Sequence, residues 1–107
     1  MTYETTFMAL AEPSRRRVFE RLRLGPLSVR DIADKMPVSR PAVSQHLKIL
    51  KDAGLVRDRV DGARRLYSIE PLGLESLRTW LDGFWDDALV AFKEAAEREP
   101  VKKRILK

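Results

Sequence analysis

Apolar residues recur at helical spacing in several stretches of this chain, and at strand spacing in one short region between them. In "YETTFMALA", residues 3–11, Phe7, Leu10 and Ala11 share one side of a predicted helix. Pro13 breaks that pattern and opens a second helix, "PSRRRVFERLRLG", with Val18, Phe19 and Leu22 as its apolar stripe and Gly25-Pro26 as its stop. Two short helices follow, and they begin alike. Ser28 can cap the first, with Asp31 three residues on and Leu27 placed to pack on Ile32. Ser39 can cap the second, with Pro41 in its first turn and Val38 placed to pack on Val43. The proline of "KMPV" separates them, which predicts a helix-turn-helix. Gly54 closes the second of these helices.

"LVRDRV" and "RRLYSIE" then flank "DGA", a hairpin signal built on Asp61-Gly62, with Leu55, Leu66, Tyr67 and Ile69 able to face a core. After Pro71 a single long helix carries Leu74, Leu77, Leu81, Phe84, Trp85, Ala88, Leu89, Phe92 and Ala96. That band is too wide and too aromatic for one helix covering so small a body. The expected architecture is mainly α with a small β-hairpin wing. Residues 1–99 are expected to form one domain, and the basic tail 100–107 to be mobile.

The polar positions of the helix from Arg40 to Ala53 change this picture from fold to function. Val43, Leu47 and Leu50 fall at i, i+4 and i+7 and must pack inward. Arg40, Pro41, Ser44, Gln45 and Lys48 are then left on the opposite side, beginning at a helix N-terminus, where free N–H groups favour phosphate. Arginine can grip guanine through two hydrogen bonds, glutamine can do so with adenine, and serine serves several base edges. A solvated helix face is the plainer explanation of the same residues. Ser39 and His46 complete the candidate DNA-reading set. His46 lies one step round toward the inward side, where a local hydrogen bond or backbone contact competes with base reading.

Charge supports a polyanion-binding surface. The net charge of +5 is uneven: residues 1–13 carry −2, residues 14–65 carry +8, residues 66–99 carry −5 and residues 100–107 carry +4. On the hairpin, Arg57, Arg59, Arg64 and Arg65 lie near a projecting tip and are candidate phosphate or minor-groove contacts. A basic edge strand that blocks edge-to-edge pairing is the alternative. Arg15, Arg16 and Arg17 could reach a DNA backbone, and a solvated face explains them nearly as well.

"MALAEPSRRRVFERL", "SVRDIADKMPVSRPAVSQHLKILKDAGLV" and "GARRLYSIEP" together resemble the ArsR/SmtB family of winged-helix repressors, over roughly residues 5 to 70. The resemblance implies a homodimer built from the first and last helices, presenting two recognition helices to a palindromic operator on double-stranded DNA. It places the groove-facing residues at Arg40, Pro41, Ser44 and Gln45. Phe7, Leu10, Leu77, Leu81, Phe84, Trp85 and Phe92 are the candidate dimer contacts. The chain departs from the family's metal and redox sensors: it has no cysteine and a single histidine, so no metal site and no cofactor are expected. Asp82, Asp86 and Asp87 are expected to be solubilising charge. Trp80, Phe84, Trp85 and Phe92 are read either as dimer packing or as the lining of a pocket for an apolar small-molecule effector.

Enzymatic function is not expected, because no Gly-rich phosphate loop and no nucleophile paired with a base are present. A winged helix retained only for protein interaction is the competing function. The lack of a spanning apolar run, a signal peptide and cysteines leads to the expectation of a cytoplasmic protein.

Overall fold

A computed structural model of the chain describes residues 3–98. The elements run α1 (Tyr3–Ala11), α2 (Pro13–Arg21), a 3-10 turn (Leu22–Leu24), α3 (Val29–Asp34), α4 (Arg40–Asp52), β1 (Val56–Asp61), β2 (Arg64–Ile69) and α5 (Pro71–Arg98). The chain divides into two compact units, one ending at Leu77 and one starting at Arg78. The basic tail, expected to be mobile, lies outside the described residues. Among those described, no helix is long and apolar enough to cross a membrane.

Local chemistry sets the helix ends of the first unit. Glu12 caps α2, its carboxylate accepting the Arg15 backbone N–H at 2.7 Å, with Pro13 in the first turn. Ser28 Oγ accepts from the Asp31 N–H at 3.1 Å, and Ser39 Oγ from the Ala42 N–H at 3.2 Å, so both expected serine caps form. Helix α4 closes in a Schellman arrangement. The Gly54 N–H donates to Lys51 and the Leu55 N–H to Leu50, with Gly54 at φ 80° where a side chain would be strained.

The core of this unit is built from Ala9, Val18, Phe19, Leu22, Ile32, Val43, Leu47, Leu50, Ala53, Leu55 and Val56. Leu27, Val38, Tyr67 and Ile69 pack against it from the edges. In α1 the inward positions are Thr6 and Ala9, whereas Phe7 faces out and Leu10 is half-buried. The α1 stripe is thus rotated from the one expected, because the small side chains let α1 approach α2 and α4 closely.

The two strands pair antiparallel from Val56↔Ile69 to Asp61↔Arg64. The loop is therefore Gly62-Ala63, one residue later than the Asp61-Gly62 pair suggested. Gly62 takes φ 67° at the first loop position while Ala63 keeps a negative φ, the pattern of a type II′ turn. Leu27 adds a single antiparallel bridge to Tyr67, with reciprocal backbone hydrogen bonds of 3.0 and 2.8 Å, and this ties the base of the wing to the entrance of α3.

The start of α5 rests on the loop after α4. A Cβ at Gly73 would overlap the Gly54 carbonyl and come within 2.9 Å of its carbon. Leu77 is buried in the protomer itself, at 9% exposure. Expected among the dimer contacts, it is already largely covered within the protomer.

Two stability predictions follow from these contacts. Gly73→Ala must push helix and loop backbones apart, and a loss of about 1–3 kcal/mol is expected in thermal or denaturant unfolding. The Glu12 carboxyl is held below its ordinary value chiefly by the Arg15 N–H, so its capping is complete above the usual carboxylate range and fades as pH falls through the depressed value. Glu12→Gln should accordingly flatten the acid limb of the thermal midpoint measured from about pH 5 to pH 3.

Candidate nucleic-acid interface

The phase of α4 is set by its buried side. Val43, Leu47 and Leu50 are each 0% exposed. Burying a side chain of this size stabilises by about 1.5–3 kcal/mol, so rotating α4 to hide its polar side would forfeit several kcal/mol. Arg40, Pro41, Ser44, Gln45 and Lys48 are consequently all exposed on the far side, together with the capping Ser39. Lys48 Nζ lies 3.1 Å from Asp52 one turn along, a fully solvated i,i+4 pair. Such a pair is worth only about 0.3–0.5 kcal/mol, which leaves Lys48 free to exchange its carboxylate for a phosphate.

His46 is half-buried, and its Nδ1 has no hydrogen-bond partner among the described residues. The local hydrogen bond considered for it does not form at that nitrogen. Its partial burial sets it toward the inward side of α4 rather than on the outward face.

The wing arginines are sorted by the carboxylates beside them. Alternation along the strands puts Arg57, Arg59 and Arg64 on one side of the ribbon and Arg65 on the other. Arg65 Nη1 donates to Asp58 Oδ2 at 2.9 Å, and Lys51 Nζ lies 2.8 Å from Asp58 Oδ1. The Asp58 side chain is only 9% exposed, and the Lys51 hydrogen bond, helped by Arg65, holds its carboxyl below the ordinary value against the opposing effect of burial. Arg65 thus serves inside the wing. Arg57 lies 3.7 Å from Glu70, and Arg64 lies 3.6 Å from Asp31 and 3.9 Å from Asp61, all looser contacts. Arg59 is exposed and has no carboxylate partner among the described residues.

Between α3, the first turn of α4 and the wing lies an open cleft of about 670 Å³, where Arg30, Arg40, Arg64 and Arg65 meet Asp31 and Asp34. Arg30 and Asp31 had no functional reading in the sequence, because only the fold brings α3 beside β2. Asp58 had a signal that was missed: in "VRDRV" it alternates with Arg57 and Arg59 and therefore faces the opposite side.

Arg15 and Arg16 turn away from any such role. Arg15 Nε donates to the Ala9 carbonyl and its Nη2 to Met8 at 3.2 Å, while Arg16 Nη1 donates to Leu10 at 2.8 Å. They cap the open carbonyls at the end of α1. Arg17 is exposed.

In the second unit, Trp80 and Phe84 meet edge to face with ring centroids 4.4 Å apart. Leu81, Phe84, Trp85, Leu89, Val90 and Phe92 are all more than half exposed. Asp82 lies 3.8 Å from Arg78. No group of three or more His, Cys, Asp or Glu among the described residues is arranged to hold a metal ion.

A helix-turn-helix domain model matches residues 10–59. The chain is 51% identical over 96 residues to the HTH-type transcriptional regulator Rv2034 of Mycobacterium tuberculosis, covering 90% of each chain. It is 33% identical to the transcriptional repressor SdpR of Bacillus subtilis, covering 73% of this chain and 87% of that one. A solution structure of the homodimeric winged helix-turn-helix DNA-binding domain of Mb0332 from Mycobacterium bovis, a possible ArsR-family transcriptional regulator, superposes with a TM-score of 0.64. It is 28% identical and covers 81% of each chain. The outward polar side of α4, the hairpin beside it and these likenesses agree: the chain belongs to the ArsR/SmtB family of winged helix-turn-helix transcriptional repressors.

Proposed function

We propose that this chain acts as a homodimeric repressor that binds a palindromic operator, with α4 in the major groove and the wing on the neighbouring backbone. The observation that carries the proposal is the two-sidedness of α4: its apolar stripe is sealed in the core while Arg40, Ser44 and Gln45 face solvent at its N-terminal end. Arg40 and Gln45 are the base-reading residues, Ser44 and Pro41 line the approach, and Lys48 and Arg59 hold phosphates. Two-fold symmetry of the dimer is matched by two half-sites about one helical turn apart.

The exposed aromatic and aliphatic residues of α5 support the dimer reading, because so much contiguous apolar surface on a small protein marks an interface. Phe7, and the remaining exposed part of Leu10, are assigned to the same contact. Trp80, Phe84, Trp85 and Phe92 are also the proposed lining for an apolar small-molecule effector, acting on operator affinity through the dimer geometry.

Arg40→Ala and Gln45→Ala should each cost about 1–3 kcal/mol on the selected operator and relax preference at one base position. Arg59→Ala should instead weaken binding to all sequences and lower the salt slope by about one. A salt-controlled titration of operator and scrambled duplexes separates the two behaviours. If Arg40→Ala and Gln45→Ala bind the operator like wild type, the reading face is misplaced. In parallel, Phe84→Asp with Trp85→Asp should shift the chain to monomer in sedimentation equilibrium and reduce operator affinity, while half-site contacts persist.

A further inference from the structure

The geometry points to Asp58 as a positioning residue for DNA recognition: through Lys51 and Arg65 it fixes where Arg59 stands relative to the reading side of α4. This rests on the reading of α4 and the wing as the DNA contacts. Each oxygen of the Asp58 carboxylate takes a cation from a different element. Oδ1 faces Lys51 Nζ at 2.8 Å from the last turn of α4, and Oδ2 accepts from Arg65 Nη1 at 2.9 Å from β2. One nearly buried acid therefore ties the recognition helix to both strands of the wing.

Its place along the ribbon gives the tie its effect. At its base the wing is anchored by buried Val56 and by the Leu27–Tyr67 bridge, and buried Leu66 stands directly across the ribbon from Arg59. Beyond Asp58, every residue from Arg59 to Arg65 is exposed, Val60 included at 64%. A two-stranded ribbon without a packed side is marginal in water, so its direction depends on the last point where it is held. Asp58 and Leu66 together make that point, Leu66 on the side of the ribbon that carries Arg59 and Asp58 on the other, and Arg59 follows Asp58 directly. Asp58 is nearly buried while Lys51 and Arg65 are each about half exposed, so the two pairs add little stability and their effect on the wing is chiefly one of direction. A rigid wing presents Arg59 and the α4 side chains to the duplex at one fixed separation, so the ordering cost is met before DNA arrives.

The test compares wild type, Asp58→Asn, Arg59→Ala, the double variant and Asp58→Glu, each at a temperature where circular dichroism shows it folded. Binding to the selected operator is titrated over a range of salt. Asp58→Asn should weaken operator binding and lower the salt slope by about one, as Arg59→Ala does. The double variant should bind no more weakly than Arg59→Ala alone, and Asp58→Glu should recover part of the loss. A general loss of packing would not produce that non-additivity. If Asp58→Asn binds like wild type, or if its loss is undiminished in the Arg59→Ala background, the positioning role is overturned while the DNA-binding reading stands. If Arg59→Ala itself leaves affinity and salt slope unchanged, the wing reading falls and this inference with it.

Discussion

The insertion of Val43, Leu47 and Leu50 into the core is the constraint on which the rest of the first unit depends. A 13-residue helix has little stability of its own in water, so its orientation is decided by which side it buries. Once that stripe is sealed, Arg40, Ser44, Gln45 and Lys48 have no freedom to choose: they face solvent, and only His46 turns partly inward among these polar residues. The caps on either side complete the arrangement. Ser39 terminates the turn from α3 and Gly54 terminates α4, so the helix is both oriented and measured. The proposed function thus follows from packing, since the same three aliphatic side chains that hold the fold also aim the side proposed to read DNA.

Electrostatics then divides the basic residues into those that build the protein and those left for a partner. Sequence alone offers Arg57, Arg59, Arg64 and Arg65 as wing contacts and Arg15 and Arg16 as a weaker second group, without saying which of them the fold itself uses. In the fold, Arg15 and Arg16 close the carbonyl end of α1, and Arg65 is drawn to Asp58. Arg57 and Arg64 hold loose, solvated ion pairs that a phosphate can replace at small cost. Arg59 has no competing carboxylate among the described residues. The basic middle of the chain thus leaves fewer cations for a polyanionic partner than its charge suggests, and places them more definitely.

What could be read in advance was whatever depends on neighbours within a few residues. The inward period of α4, the caps at Ser28 and Ser39, the glycine stop at Gly54 and the paired strands are all local, and each is legible from residue type and spacing. The reading faltered where a partner comes from elsewhere in the chain. The hairpin loop moved by one residue because strand register, set by Val56 and Leu66 in the core, overrode the Asp61-Gly62 signal. Leu77 looked like the other apolar residues of α5, and only the fold shows that the protomer already covers it. The cation partners of Asp58 likewise required β2 and the last turn of α4 to be brought together.

The central claim, that the outward side of α4 and the adjacent wing meet DNA, is tested most directly by following backbone amide resonances as a duplex carrying the selected operator is added. The account predicts that the largest shifts map to Arg40, Ser44, Gln45, Lys48 and Arg59, with Leu47 and Leu50 little changed. Shifts concentrated on the α2 surface around Arg17, with residues 40–48 unmoved, would contradict it.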